Sequence, residues 1–503
     1  MVKMKFALVG IYVFVMVAIG YLSMKKVSNV NDFFLGNRSI GPWVSAFAYG
    51  TTYFSAVIFI GYAGKVGWGF GLSSLWIVAG NALIGTYLAW HILASPTRSM
   101  TMRLNALTMP DFLAKRYDSP GLKILAALII FIFLVPYSAS VYMGLSYLFE
   151  KIFNIPFSLA LAIIAALTAV YLVMGGYLAV ALTNFVQGIV MLAGVVLLVC
   201  YIMADPHIGG IATGIARLGQ INPQFVRPFN PPNPLGLFSL VVLTSLGAWG
   251  MPQMVQKFYA ISDVRAIPPA KIVSTFFSMI IAFGAYFTGS FGRVFFNNEL
   301  PNGNFDIIMP LMIRQALPEA ASVLILLLIL AASMSTLASL VLVSSSSIAI
   351  DLMKGFFRPN MSEKSTMSLM RWLSLLFIAL SAYIALKPTF ILSLMSLSWG
   401  TVSGAFLAPY LYGLFWKDAT RAGAWAGMLT GVLFSVSLSF YCKMNSSLIP
   451  IIGSAAMLIP LIVLPAVSVL TPKLSANHLA NIFEEDEVQR GYLHYSRFSA
   501  EEQ

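Results

Sequence analysis

The chain has 503 residues, of which 59% are hydrophobic and 10% charged, with a mean hydropathy of +0.85. A soluble globular domain carries about 25% charged residues, so this composition excludes an ordinary cytosolic enzyme, a disordered chain and a disulfide scaffold, and indicates an all-α polytopic membrane protein. The net charge of +12, from 30 Lys+Arg against 18 Asp+Glu, reads as basic cytoplasmic loops rather than a nucleic-acid surface.

A helix across a roughly 30 Å hydrocarbon core needs about 20 apolar residues. Apolar runs of that order fall at 4–24, 41–64, 75–97, 122–149, 157–175, 180–203, 235–256, 272–292, 320–350, 369–386, 390–416, 422–441 and 449–470, about thirteen in all. The first run follows a basic N-terminus like a signal peptide, but no small-residue cleavage site comes after it, so it reads as a retained span. The run 320–350 is too long for one perpendicular crossing and is expected to tilt or to continue beyond the bilayer. Five prolines in NPQFVRPFNPPNPLG, at the end of 204–234, predict an irregular external loop. Cys200 and Cys442 form neither a disulfide framework nor a zinc set.

Placing the N-terminus outside puts twenty Lys/Arg on the cytoplasmic side and ten on the other. That bias predicts an N-out, C-in protein of the cell membrane.

Within the membrane every backbone polar group must be satisfied, so interruptions are informative. Gly50-Thr51-Thr52-Tyr53-Phe54-Ser55 interrupts the second run. Thr244-Ser245-Leu246-Gly247-Ala248-Trp249-Gly250-Met251-Pro252 interrupts the seventh. The two lie five spans apart, which makes two five-span units of opposite orientation. Matching interruptions in two such halves point to an inverted-repeat transporter with its site at the breaks. Glycines that merely aid helix packing are the plain alternative.

The ninth run holds Ala331-Ala332-Ser333-Met334-Ser335-Thr336, and then Ser344 to Ser347. The later serines read as hydroxyls bonded back to the preceding turn. Ser335 and Thr336 read as functional, because a hard cation such as sodium wants oxygen ligands. Unwound carbonyls can complete such a shell without a carboxylate. Acids and histidines inside the runs are too few for a proton relay or a membrane-embedded enzyme, and no phosphate-binding loop supports ATP drive.

Five segments, DFFLGNRSIGPW (32–43), ALTMPDFLAKRY (106–117), GGYLAVALTNFVQG (175–188), GMPQMVQKF (250–258) and AASMSTLASLVLVSSS (331–346), resemble in order the sodium:solute symporter family. The likeness runs from about residue 5 to 420 and is greatest to the branch holding the proline and pantothenate symporters. It implies a leucine-transporter-like fold: two inverted five-helix repeats with broken helices, working by alternating access. The corresponding division is a first helix and cytoplasmic loop (1–40), a first repeat (41–203), the external loop (204–234), a second repeat (235–416), two last helices (417–472) and a cytoplasmic tail (473–503). By the same resemblance, the carbonyls of Thr51, Phe54 and Ala332 and the hydroxyls of Ser335 and Thr336 hold one sodium ion. Tyr137 matches an aromatic that the family places at the solute.

Three departures bear on specificity. The proline symporters carry an aspartate where this chain has Tyr53, and aromatics where it has Thr244 and Ala248. Many members carry an aspartate where this chain has Asn184. The first two set the chain apart from the proline type, and TTYFSAVIFIG (51–61) and Gly292-Arg293 are closer to the pantothenate type, so a pantothenate- or proline-like solute is expected; the third departure argues for a single sodium per cycle. The expected solute pocket comprises Tyr53, Ser55, Tyr137, Thr244, Ser245 and Trp249. It is polar, aromatic and uncharged, and suits a small carboxylate or zwitterion. The expected function is therefore sodium-coupled symport of a small organic solute, with sodium as coupling ion, the bilayer as surroundings, and neither nucleic acid nor an obligatory protein partner. The alternative is a proton-coupled or sodium-independent transporter, or a channel.

Overall fold

The computed structural model describes residues 2–24, 30–172, 176–387 and 389–483. The basic pair at 25–26, the glycine at 175 and the acidic tail segment from 484 onward lie outside them. Among the described residues the chain is helical, and strand pairing is limited to one isolated parallel bridge between Ile40 and Ile261.

Among the described residues nine helices are long and apolar enough to cross a membrane, or ten when the bent pair Pro234–Gly250 and Pro252–Ala260 counts as one. The tally of thirteen apolar runs is not reproduced in that form, for two physical reasons. Helical geometry is nearly continuous over Ile58–Arg103, so the end of one run and the whole of the next join in a single 46-residue segment. Other runs yield shorter pieces: Ala7–Ser23, Phe157–Val170 and the half-helix Pro42–Tyr53.

Burial separates an inner from an outer layer. Ile391–Phe415 is buried along its central window, and Glu319–Phe357 nearly so. Glu363–Ala385 shows most of its window to the surroundings, with Trp372, Leu376 and Tyr383 exposed as lipid-facing side chains. The inner layer is therefore Glu319–Ser346, Ile391–Phe415 and the two broken spans. Glu319–Ser346 continues into the wide, π-type turns of Ser347–Phe357, which extends the long ninth run as expected. Similar wide turns occupy Ile58–Tyr62, Gly80–Leu93 and Val242–Leu246, all beside the breaks.

Glycines let the inner helices meet backbone to backbone. A Cβ on Gly289 would stand 2.0 Å from the Ala63 carbonyl oxygen, and one on Gly67 would stand 2.2 Å from the Gly289 carbonyl. Only glycine permits that approach between Ala63–Phe70 and Ile267–Ser290. The region 204–234 is not irregular throughout. It holds the helix Ile211–Ile221, in a stretch free of proline between Pro206 and Pro223. The proline-rich end is tied down where Ser73 and Trp76 donate to the carbonyls of Arg227 and Pro228, each at 2.8 Å.

Candidate functional site

The first break follows from local chemistry. Pro42 opens the half-helix, which ends at Tyr53. Phe54 is extended (φ −110°, ψ 112°), so it leaves the helical ladder. The Ser55 hydroxyl then accepts from the Val57 N–H at 3.2 Å and starts the next helical segment.

Glu319–Ser346 crosses this break and brings its hydroxyls to it. Ser335 Oγ donates to the carbonyls of Thr51 at 2.9 Å and Ala332 at 3.0 Å. Thr336 Oγ1 reaches the carbonyls of Thr51 and Thr52, both at 3.3 Å. Thr52 Oγ1 meets Ser339 Oγ at 3.0 Å. Ser335, Thr336, Thr51 and Ala332 are all fully buried, and Phe54 adjoins them in the chain. The cluster is made of hard oxygens without a carboxylate. Its hydroxyls can turn their lone pairs to a cation, which would replace their protons at the carbonyls. Among the described residues there is no cluster of His, Cys, Asp and Glu able to hold a metal.

One turn away lies a narrow cavity lined by Tyr53, Ser55, Asn81, Tyr137, Thr244, Tyr286 and Trp399, among others. Four of the six expected solute residues, Tyr53, Ser55, Tyr137 and Thr244, therefore line it. Tyr53 OH donates to the Thr244 carbonyl at 2.7 Å and to Asn81 Oδ1 at 3.2 Å. Tyr137 directly follows Pro136, whose missing N–H loosens the helix Pro120–Phe153. Its ring meets the edge of Trp399 at 5.9 Å, and Trp399 stacks on Tyr53 at 6.0 Å.

Ser245 and Trp249 are not in that lining. Ser245 Oγ donates to Asn81 Oδ1 at 3.1 Å, and Trp249 Nε1 to the Ile84 carbonyl at 2.9 Å. Both fasten the second broken span to the segment Gly80–Leu93. That span bends by 45° at Met251, where Ser403 Oγ donates to the nearby Gly247 carbonyl at 2.6 Å.

Asn81 and Trp399 were not among the expected residues. Asn81 accepts from three hydroxyls, Tyr53, Ser245 and Thr244, the last at 2.9 Å. Its signal was an amide beside Gly80 in an otherwise apolar stretch. Trp399 offered only the dipeptide Trp399-Gly400 among serines.

On the other flank a charged cluster closes the end of Glu319–Phe357. Buried Asp351 accepts from Thr108 at 2.6 Å and lies 3.8 Å from Lys123, which bonds Asp111 at 2.8 Å. Arg38 donates to the carbonyls of Ala106 at 2.8 Å and Tyr259 at 3.2 Å, and so pins the first half-helix to two neighbours.

With this geometry in view, comparisons with known proteins are specific. The family model described as "Sodium:solute symporter family" matches residues 33–431. The chain is 33% identical over 431 residues to the osmoregulated proline transporter OpuE of Bacillus subtilis, covering 84% of this chain and 86% of that protein. It is 35% identical over 440 residues to a sodium/proline symporter of Haemophilus influenzae, with the same two coverages. Among solved structures, a substrate-bound, outward-open Na+-coupled sialic acid symporter superposes with a TM-score of 0.76 at 20% identity, covering 94% of this chain and 99% of that one. MhsT in complex with L-phenylalanine gives 0.53 at 14% identity, covering 84% and 99%. These last two speak for the fold alone: a leucine-transporter-like arrangement of inverted repeats.

Proposed function

The chain belongs to the sodium:solute symporter family, and we propose that it imports a small amino-acid-like or carboxylate solute by alternating access, with one sodium ion per cycle. It is a multi-pass membrane transporter and not an enzyme. The observation that carries the finer reading is the convergence of Ser335 and Thr336 on the carbonyls of Thr51, Thr52 and Ala332 at the first break. In this reading Thr51, Phe54 and Ala332 give carbonyl ligands, and Ser335 and Thr336 give hydroxyls. The same break carries Tyr53 and Ser55 into the solute cavity, so one rearrangement of the half-helix is felt at both places.

Relatives named for proline favour a zwitterion of that size. Tyr53, Thr244 and Asn81 give neutral hydrogen-bonding groups, and Tyr137 and Trp399 give an aromatic wall. A carboxylate can rest on half-helix N-termini without an arginine. Pantothenate is the second solute to try, because Tyr53 occupies the position of the proline symporters' aspartate. The surplus of basic residues in alternate loops supports an N-out, C-in orientation. Two inverted repeats at 41–203 and 235–416, with the helices of 417–472 outside them, complete the proposal.

The test is uptake of labelled proline, pantothenate and short-chain carboxylates into proteoliposomes under an inward sodium gradient, with potassium as control. Uptake is expected to need sodium and to fall at least tenfold at limiting sodium in Ser335→Ala with Thr336→Ala. Equal uptake in potassium, or an unaffected double variant, refutes the ion site and favours proton-coupled or uncoupled transport.

A further inference from the structure

Lys257 stands in the helix Pro252–Ala260, just beyond the bend at Met251, and is fully buried. Its Nζ donates to Ser339 Oγ at 3.2 Å. The same ammonium lies 4.9 Å from the centre of the Tyr177 ring, itself buried. Among the described residues no carboxylate is within ion-pair distance of it. A buried cation is ordinarily paired, because taking it out of water is unfavourable. Here a hydroxyl and the face of an aromatic ring stand in for the missing anion.

The location gives the charge its meaning. Ser339 is one helical turn beyond Ser335 and donates to the Ser335 carbonyl at 3.2 Å. Ser339 Oγ also meets Thr52 Oγ1 at 3.0 Å. Thr52 in turn supplies a carbonyl to Thr336. The ammonium is thus one hydroxyl removed from the chain of oxygens that joins the first broken span to Glu319–Ser346. It is carried by the other broken span.

We propose that Lys257 is a built-in competitor of the coupling cation: an amine at the edge of the Ser335/Thr336 oxygens whose protonated form weakens sodium in this arrangement and speeds its release. The proposal rests on the sodium reading of that oxygen cluster. Two cations near one set of neutral oxygens repel each other and divide the same lone pairs. Movement of Pro252–Ala260 about the bend changes how near the ammonium stands, so the position of the second broken span governs sodium affinity at the first. Lys257 is a positioning residue in this scheme, because it acts on the ion through Ser339 and Thr52.

The experiment titrates the tryptophan fluorescence of the purified full chain with sodium chloride, at ionic strength held constant with choline chloride. Lys257→Met is expected to lower the sodium half-saturation on the order of tenfold. Sodium-driven uptake by the same variant is expected to show a lower maximal rate, since tighter sodium leaves more slowly. Lys257→Arg keeps the charge and restores wild-type half-saturation. Lys257→Gln keeps a donor for Ser339 without the charge, is expected to behave as Lys257→Met, and serves if the methionine variant does not fold. Ser339→Ala removes the hydrogen bond but leaves the charge, and is expected not to tighten sodium. Unchanged or weaker sodium binding in both neutral variants overturns the proposal. Ser335→Ala with Thr336→Ala separates the two failures. If that double variant titrates like the wild type, the sodium reading has failed. If it loses the sodium response while the neutral Lys257 variants do not tighten, only the role of Lys257 has failed.

Discussion

Asn81→Ala is the most informative single change at the solute cavity. Asn81 is 2% exposed, and its Oδ1 accepts from Thr244 Oγ1, Ser245 Oγ and Tyr53 OH. Truncation removes all three bonds, but they are not equal losses. Thr244 Oγ1 also donates to the Leu240 carbonyl at 2.8 Å, and Tyr53 OH to the Thr244 carbonyl at 2.7 Å. Those two hydroxyls fall back on a second acceptor and lose little. Ser245 Oγ has Asn81 as its one acceptor among the described residues, and it is fully buried. A buried hydroxyl left without a partner costs about 1–3 kcal/mol. Asn81→Ala is therefore expected to destabilise the protein by roughly 1–3 kcal/mol, with Ser245 carrying most of the loss. Unfolding in mixed micelles of mild detergent and dodecyl sulfate measures it. Ser245→Ala in the Asn81→Ala background removes the orphaned hydroxyl, so the pair is expected to be more stable than Asn81→Ala alone by about 1 kcal/mol or more. An Asn81→Ala protein within about 0.5 kcal/mol of wild type, or a second substitution that only adds its own cost, refutes this account.

Gly289→Ala would set a methyl 2.0 Å from a backbone carbonyl that cannot rotate away. The expected cost is about 3 kcal/mol or more, visible as lost monodisperse protein on fluorescence-detected size exclusion; a normal elution profile and yield would contradict it. Asp306, in the segment before Ile308–Ala316, is 1% exposed, and burial pushes its carboxyl up to about 6 against the pull of the Ile391 N–H at 3.1 Å and of Lys65. The folded protein thus holds a proton that the unfolded chain releases near its ordinary value of 3.8, so this group's contribution to stability falls as pH rises from about 4 to about 6. Thermal midpoints are expected to rise between pH 7 and pH 5, with a smaller rise in Asp306→Asn; equal rises in both proteins would remove Asp306 from the explanation.

The breaks were legible because their residues act locally. Phe54 and Ser55 leave the ladder where Gly50, two threonines and a serine weaken it, and the second span bends at Met251, between Gly250 and Pro252. Ser335 and Thr336 were legible for a related reason: hydroxyls at that density in an apolar run need partners. What could not be read is how spans register against each other. Asn81 gathers three hydroxyls only because the wide turns of Gly80–Leu93 aim it across at Thr244 and Ser245, and no spacing within its own run announces that. Trp249 was expected at the solute because it stands at the second break, yet its indole turns to the Ile84 carbonyl. The count of thirteen crossings is not confirmed, for a different reason. Hydropathy divides the chain at polar residues, whereas the backbone stays helical through the turn Gly71–Ser74 and parts only where carbonyls find other partners.

The wide turns have a meaning for how such a chain can change over generations. A π-type turn holds more backbone per rise than an α-turn, so Gly80–Leu93 and Val242–Leu246 store surplus length beside the cavity. Losing one residue there tightens a turn and swings the side chains beyond it around the axis, while the distant ends of the helix keep their anchors. The backbone contact of Gly67 with Gly289 has no such slack. The walls of the cavity can therefore be re-aimed by single-residue deletions, an economical route to a new solute that leaves the neighbouring oxygen cluster untouched.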